Sequence, residues 1–304
     1  MIRMRRVPAT AALAVLVATL ATACSGPGGQ PAPAPAPASA GSCHAGVSGA
    51  ENWIMGSGEL SAAQAAGASS VRYAVGSAHL FVLLLRGQTS RAGQEVADFR
   101  SYAELKKMIR QGTIAPGIRW VMYDNEQWSL TPADEQADPV HYEQLFARLA
   151  HRQGYKVILA PAQDLVPGFD KNSFRAGQAV WPSYLSMGLA AASARAADIY
   201  EIQAQPYEMS VYRSQHAYAD FVAAAAAQAR AANPGVVIYA GLSTQRVSSA
   251  AQLLQDYEAT RNLVDGYWLN IPRHDQPGPP GLADQFLRTI PASASASAAT
   301  CAGA

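Results

Sequence analysis

The chain is poor in charge. Of its 304 residues only 15% are Asp, Glu, Lys or Arg, and 23 basic residues stand against 22 acidic ones. The formal net charge is +1 and no basic run concentrates it, which excludes a nucleic-acid partner. Long apolar runs are equally scarce. One lies at the extreme N-terminus, which excludes an integral transporter or channel. There is no P-loop, and Gly56-Ser57-Gly58 lacks the third glycine of a dinucleotide loop. No G-x-S-x-G stretch exists, so an ordinary serine hydrolase is not expected. The six histidines (His44, His79, His141, His151, His216 and His274) show neither H-x-x-x-H nor H-x-H spacing. No metal site and no cofactor are therefore expected. No repeat of 20 to 50 residues is visible. What the chain does have is a 49% apolar composition, ample for a buried core.

The N-terminus reads as an address. Met1 to Arg6 is basic, and Val7 to Ala23 is uncharged and rich in Ala, Leu and Val. Ala21-Thr22-Ala23-Cys24 then resembles a bacterial lipobox. That resemblance implies a signal peptide over residues 1–23, cleavage before Cys24, and a lipid on its thiol that holds the protein to the membrane. Ordinary signal cleavage and an uncleaved anchor are the alternatives; all three leave the domain outside the cytoplasm. Residues 24–42, apart from Cys24 and Gln30, are Gly, Pro, Ala and Ser, including an alternating Pro-Ala stretch over Pro31–Pro37. Such a segment favours extended polyproline conformations and reads as a tether. Cys43 and Cys301 remain, one at each end of residues 43–304, read as a single domain. Outside the cytoplasm such a pair is expected to form a disulfide, which requires the two ends to meet within roughly 6 Å. Two unpaired thiols are the alternative.

Between these cysteines, short β-rich apolar runs alternate with amphipathic stretches. The candidate strands are Asn52–Met55, Val71–Val75, Leu80–Leu85, Arg119–Tyr123, Lys156–Ala160, Asp198–Gln203, Val236–Ala240 and Gly266–Asn270. Helices are expected over Ser101–Gln111, from Asp138-Pro139 to Gly154, and over Ser183–Ala197, Ser214–Ala232 and Ser248–Asn262. Strand–helix alternation, eight strands and joined ends predict an α/β fold, a (β/α)₈ TIM-like barrel, irregular in its first strands.

In such a barrel the chemistry lies at the C-terminal ends of the strands. The run Trp120-Val121-Met122-Tyr123 leads into Asp124-Asn125-Glu126-Gln127-Trp128. Residues two apart on a strand face the same way, so Asp124 and Glu126 are expected to project together into the mouth. Like charges in a partly desolvated place raise one pKa and keep one carboxyl protonated as a general acid. Capping of the next helix, or pairing with an arginine, is the structural alternative. Tyr123, Trp128, Gln163, Asp164, Gln203, Gln205, Tyr207, Trp268 and Asn270 end or follow other runs and are the candidate binding residues. Glu201 shares a strand face with Gln203 and Gln205 and reads as part of a structural hydrogen-bond layer.

Asp124-Asn125-Glu126 closing the fourth strand, with Trp268 on the eighth, resembles the layout of family 18 glycoside hydrolases, the chitinase-like barrels. The resemblance implies Glu126 as proton donor to the glycosidic oxygen, with Asp124 orienting a substrate acetamido group that acts as internal nucleophile. The chain differs from that layout at Met122, two residues before Asp124, and at Gln203 and Gln205 on the sixth strand. The expectation is a secreted or surface-anchored glycan hydrolase acting on a carbohydrate or cell-wall polymer. A barrel that binds such a polymer without cleaving it is the alternative.

Overall fold

The computed structural model describes residues 52–65, 80–84, 89–271 and 278–290. The N-terminal leader and tether, Cys24, Cys43, Cys301 and the candidate strand Val71–Val75 lie outside the described residues. Eight parallel strands close a barrel in sequence order: β1 (Trp53–Gly56), β2 (Leu80–Leu84), β3 (Gln94–Phe99), β4 (Trp120–Tyr123), β5 (Lys156–Leu159), β6 (Ile199–Ile202), β7 (Val237–Ser243) and β8 (Gly266–Asn270). The ring closes where Trp53 of β1 pairs with Tyr267 of β8. This is the (β/α)₈ TIM barrel expected from the alternation.

The strands are buried on both faces, as parallel strands under a helical shell must be. One side-chain parity fills the barrel: Ile54, Phe81, Val96, Trp120, Met122, Ile158, Ile199, Tyr239 and Trp268 form one apolar cluster drawn from all eight strands. The other parity meets the helices. Tyr123 stacks on Phe146 of the helix Pro139–Arg152, ring centroids 4.7 Å apart and planes 6° from parallel. Asp138 caps that helix by accepting from the His141 N–H at 3.2 Å, and Pro139 takes its first turn.

Two expectations change. One barrel strand, β3 (Gln94–Phe99), is not among the expected strands. Its inward residues include Gln94 and Asp98, so it carries little apolar signal. Gln94 is satisfied by the Trp120 indole N–H, which donates to its Oε1 at 2.8 Å. The expected helix over Ser183–Ala197 is two helices, Trp181–Ser186 and Leu189–Ala196, broken at Gly188 with φ 73°. A left-handed residue interrupts the ladder there. No helix among the described residues is long and apolar enough to cross a membrane.

Candidate active site

Past β4 the strand alternation carries on for one more inward residue. Met122 lies in the barrel cluster and Tyr123 faces the helices, so Asp124 turns inward again. Asp124 is buried, at 3% exposure. Its Oδ1 accepts from Gln203 Nε2 at 2.7 Å, and its Oδ2 lies 3.1 Å from Arg100 Nη1. Arg100 also pairs with Asp98, the last inward residue of β3. Burial lifts the Asp124 carboxyl well above the ordinary range. Repulsion from Glu126 and Asp98 adds to this, against the pull of Arg100 and Gln203. Burial likewise raises Asp98, opposed by Arg100.

Above this layer opens a cavity of about 350 Å³. Its wall is built from the C-terminal ends of five strands. Glu126 and Gln127 follow β4, Gln163 and Asp164 follow β5, and Gln203 and Gln205 follow β6. Ser243, Gln245 and Arg246 come from the end of β7, and Trp268 and Asn270 from β8. The short helix Lys171–Arg175 flanks it with Lys171, Phe174 and Arg175. The Glu126 carboxyl is pushed up to about 7, first by burial and then by the charge of Asp164, with Arg100 opposing. Asp164 is raised by burial, but its Oδ1 accepts the Gln127 N–H at 2.9 Å and Lys171 draws it back down.

Two of the amides on the wall are held by hydrogen bonds. Gln163 Nε2 donates to the Gln203 carbonyl at 2.7 Å, and Gln203 Nε2 also donates to the Ala160 carbonyl at 2.8 Å. Gln163 Oε1 is buried without a hydrogen-bond partner among the described residues. Gln205 lies against Gly241, where a Cβ would stand 2.1 Å from the amide carbon. Only glycine leaves that amide its present place.

Of the residues singled out from the sequence, Glu126, Gln163, Asp164, Gln203, Gln205, Trp268 and Asn270 meet around this one cavity. Asp124 does not line it, but sits behind Gln203. Three aromatics lie elsewhere. Tyr123 is on the helix-facing side, its hydroxyl donating to Glu135 Oε2 at 2.7 Å. Trp128 folds back, its indole N–H donating to Thr131 Oγ1 at 2.8 Å and its ring carrying the Arg100 guanidinium at 5.3 Å. Tyr207 packs among Phe174, Tyr212 and Phe221, its hydroxyl accepting from the Val180 and Trp181 N–H groups. Glu201 belongs to no hydrogen-bond layer: it is fully buried, and neither carboxyl oxygen has a partner among the described residues. Burial raises its carboxyl well above the ordinary range.

Arg100, Asp98, Lys171, Arg175 and Arg246 are the charged members that the sequence reading missed. The signal for Arg100 was its place just past a strand, but that strand had itself gone unrecognised. Among the described residues no three His, Cys, Asp or Glu side chains are grouped as metal ligands.

No protein-family model matches the chain, chitinase-like or otherwise. No curated protein matches it either. Among solved structures it is similar to a Schiff-base-forming fructose-1,6-bisphosphate aldolase, at 12% identity over 78% of this chain and 92% of the aldolase, with a TM-score of 0.43. It is also similar to muconate lactonizing enzyme from Pseudomonas putida, at 14% identity over 70% of this chain and 51% of that one, with a TM-score of 0.35. Likeness at these levels says nothing about chemistry.

Proposed function

We propose that the mouth of the barrel hydrolyses glycosidic bonds, with Glu126 as the proton donor. One observation carries the reading: Glu126 and Asp164 face a single cavity from the ends of neighbouring strands, near enough that Asp164 is the strongest charge acting on Glu126. Two carboxyl groups with different environments divide the work. Glu126, held near 7, is substantially protonated at neutral pH and gives its proton to the glycosidic oxygen as the C–O bond breaks. Asp164, raised by burial against the pull of the Gln127 N–H and Lys171, is assigned the second role. It stabilises the developing positive charge on the sugar or directs the incoming water.

Asp124 is a positioning residue in this scheme. It anchors Gln203, whose backbone carbonyl in turn holds Gln163. The acetamido-orienting role that the chitinase-like resemblance assigns to Asp124 would pass to these amides. They suit sugar hydroxyl and acetamido groups, and the Trp268 ring offers an apolar face to a sugar. The N-terminal sequence supports a location outside the cytoplasm, with the barrel tethered by a lipid on Cys24. Metabolic lipid labelling of the chain and of Cys24→Ser tests that part.

The test of the activity is release of new reducing ends from a panel of cell-wall and other polysaccharides. Cleavage by the native chain and its loss in Glu126→Gln, with binding retained, is expected. Binding to a polysaccharide without cleavage would favour a non-catalytic carbohydrate-binding barrel instead.

A further inference from the structure

The cavity wall carries charges of both signs. Glu126 and Asp164 lie along the ends of β4 and β5, whereas Lys171, Arg175 and Arg246 come from the helix Lys171–Arg175 and the turn after β7. All three cations are exposed at the rim, and none has a salt-bridge partner within 4.0 Å among the described residues. Two less exposed arginines elsewhere in the barrel are neutralised: Arg100 by Asp98 and Asp124, Arg213 by Asp256. A neutral sugar needs amides, an aromatic face and the acid pair, all of which the cavity already has. It gives no reason to place three cations without salt-bridge partners at its rim.

From these cations we infer that the substrate is an anionic glycan, one whose sugars carry a carboxylate, sulfate or phosphate ester, and that Lys171, Arg175 and Arg246 bind that substituent. The inference deepens the glycan reading above and rests on it for the sugar part of the ligand. The balance of charge on the wall agrees. Three cations face two carboxyl groups, and Glu126 is only partly ionised near pH 7, so the cavity is positive at neutral pH. Charges of the two signs also act on each other. Lys171 draws down Asp164 and Arg246 draws down Glu126, which puts the cations within electrostatic reach of the reacting groups. An anion seated on these cations therefore brings its sugar against the acid pair. Arg246 is the pivotal cation, because it lies in reach of Glu126 itself.

The test is calorimetric binding of the full chain carrying Glu126→Gln, which prevents turnover. The probes are oligosaccharides bearing carboxylate, sulfate or phosphate, each paired with its neutral parent. At least one charged member is expected to bind about tenfold more tightly than its parent. That preference should fall severalfold in Arg246→Gln and in Lys171→Gln/Arg175→Gln, and return in Arg246→Lys. It should also shrink towards ~1 M salt, where the screening length is about 3 Å. Circular dichroism of the variants separates a lost site from a lost fold. If no charged member outbinds its parent, or if the preference survives all three substitutions, the inference is overturned. The two readings fail separately. Cleavage of a neutral glycan with no charge preference would leave the hydrolase and remove the anion site. Charge-selective binding with no cleavage of that glycan by the native chain would do the reverse.

Discussion

Gln203 donates from Nε2 to Asp124 Oδ1 at 2.7 Å, joining a residue on the cavity wall to a carboxyl buried behind it. Asp124 in turn meets Arg100, which also holds Asp98. The wall of the site is thereby hung on a buried charge cluster spanning β3, β4 and β6.

That cluster depends on its one cation. Arg100→Ala leaves Asp98 and Asp124 buried without a countercharge, at a cost on the order of 3 kcal/mol at neutral pH. Both carboxyls are already raised, so below their pKa values they are protonated and the loss shrinks. Urea melts of the variant and the parent at pH 4 and pH 7 check this, with the larger gap expected at pH 7.

Glu143 predicts a second stability effect. Its folded pKa is raised by burial to about 8 from an ordinary 4.5, so folding favours its protonated form. Its contribution is fully present below about pH 4.5 and is lost as pH rises through 8. Glu143→Gln keeps an oxygen to accept the Ser193 hydroxyl, now 2.5 Å from Oε2, and has no charge to bury. It should be more stable than the parent by up to roughly 5 kcal/mol above pH 8 and near-equal to it at pH 4. Denaturant midpoints across that range measure the difference.

Gly241→Ala tests the placing of Gln205. The new Cβ would stand 2.1 Å from the amide, and the amide is the far end of a flexible side chain. Stability should fall by only about 1 kcal/mol, because the side chain can swing away. Ligand binding should weaken by a larger factor, since one wall amide is displaced. A loss of stability with intact binding would contradict this.

Activity should depend on Glu126 in its protonated form, and therefore decline as pH rises through about 7. Asp164 raises that pKa, so Asp164→Asn should move the alkaline limb of kcat/KM to lower pH. A limb that stays in place would remove Asp164 from the pair.

How much of this the sequence disclosed varies from strand to strand. The run Trp120–Tyr123 is apolar without interruption, so its end, and Asp124 and Glu126 beyond it, could be read directly. Gln94–Phe99 was invisible because its inward Gln94 and Asp98 are satisfied by Trp120 and Arg100, partners brought in only by the fold. Tyr123 is legible by parity: if Asp124 faces inward, the strand turns Tyr123 outward. Tyr207 is different. Beyond β6 the chain enters a 3₁₀ turn over Gln205–Glu208, preceded by Ala204 with φ −87° and ψ −11°, so strand parity no longer predicts direction. Gln203 and Gln205 still reach the cavity, while Tyr207 turns to the helices. The rim cations were hidden for a related reason: Lys171, Arg175 and Arg246 stand in loops and a one-turn helix, where no periodicity points a side chain anywhere.

The central claim, that Glu126 protonates a leaving oxygen, is tested most directly by comparing leaving groups. Once a cleaved glycan is identified, the native chain and Glu126→Gln are assayed on its natural linkage and on an aryl glycoside of the same sugar whose leaving group needs no proton. The account predicts a loss of about 10²–10⁴-fold in kcat on the natural linkage and much less than that on the aryl glycoside. An equal loss on both, or no loss on the natural linkage, would contradict it.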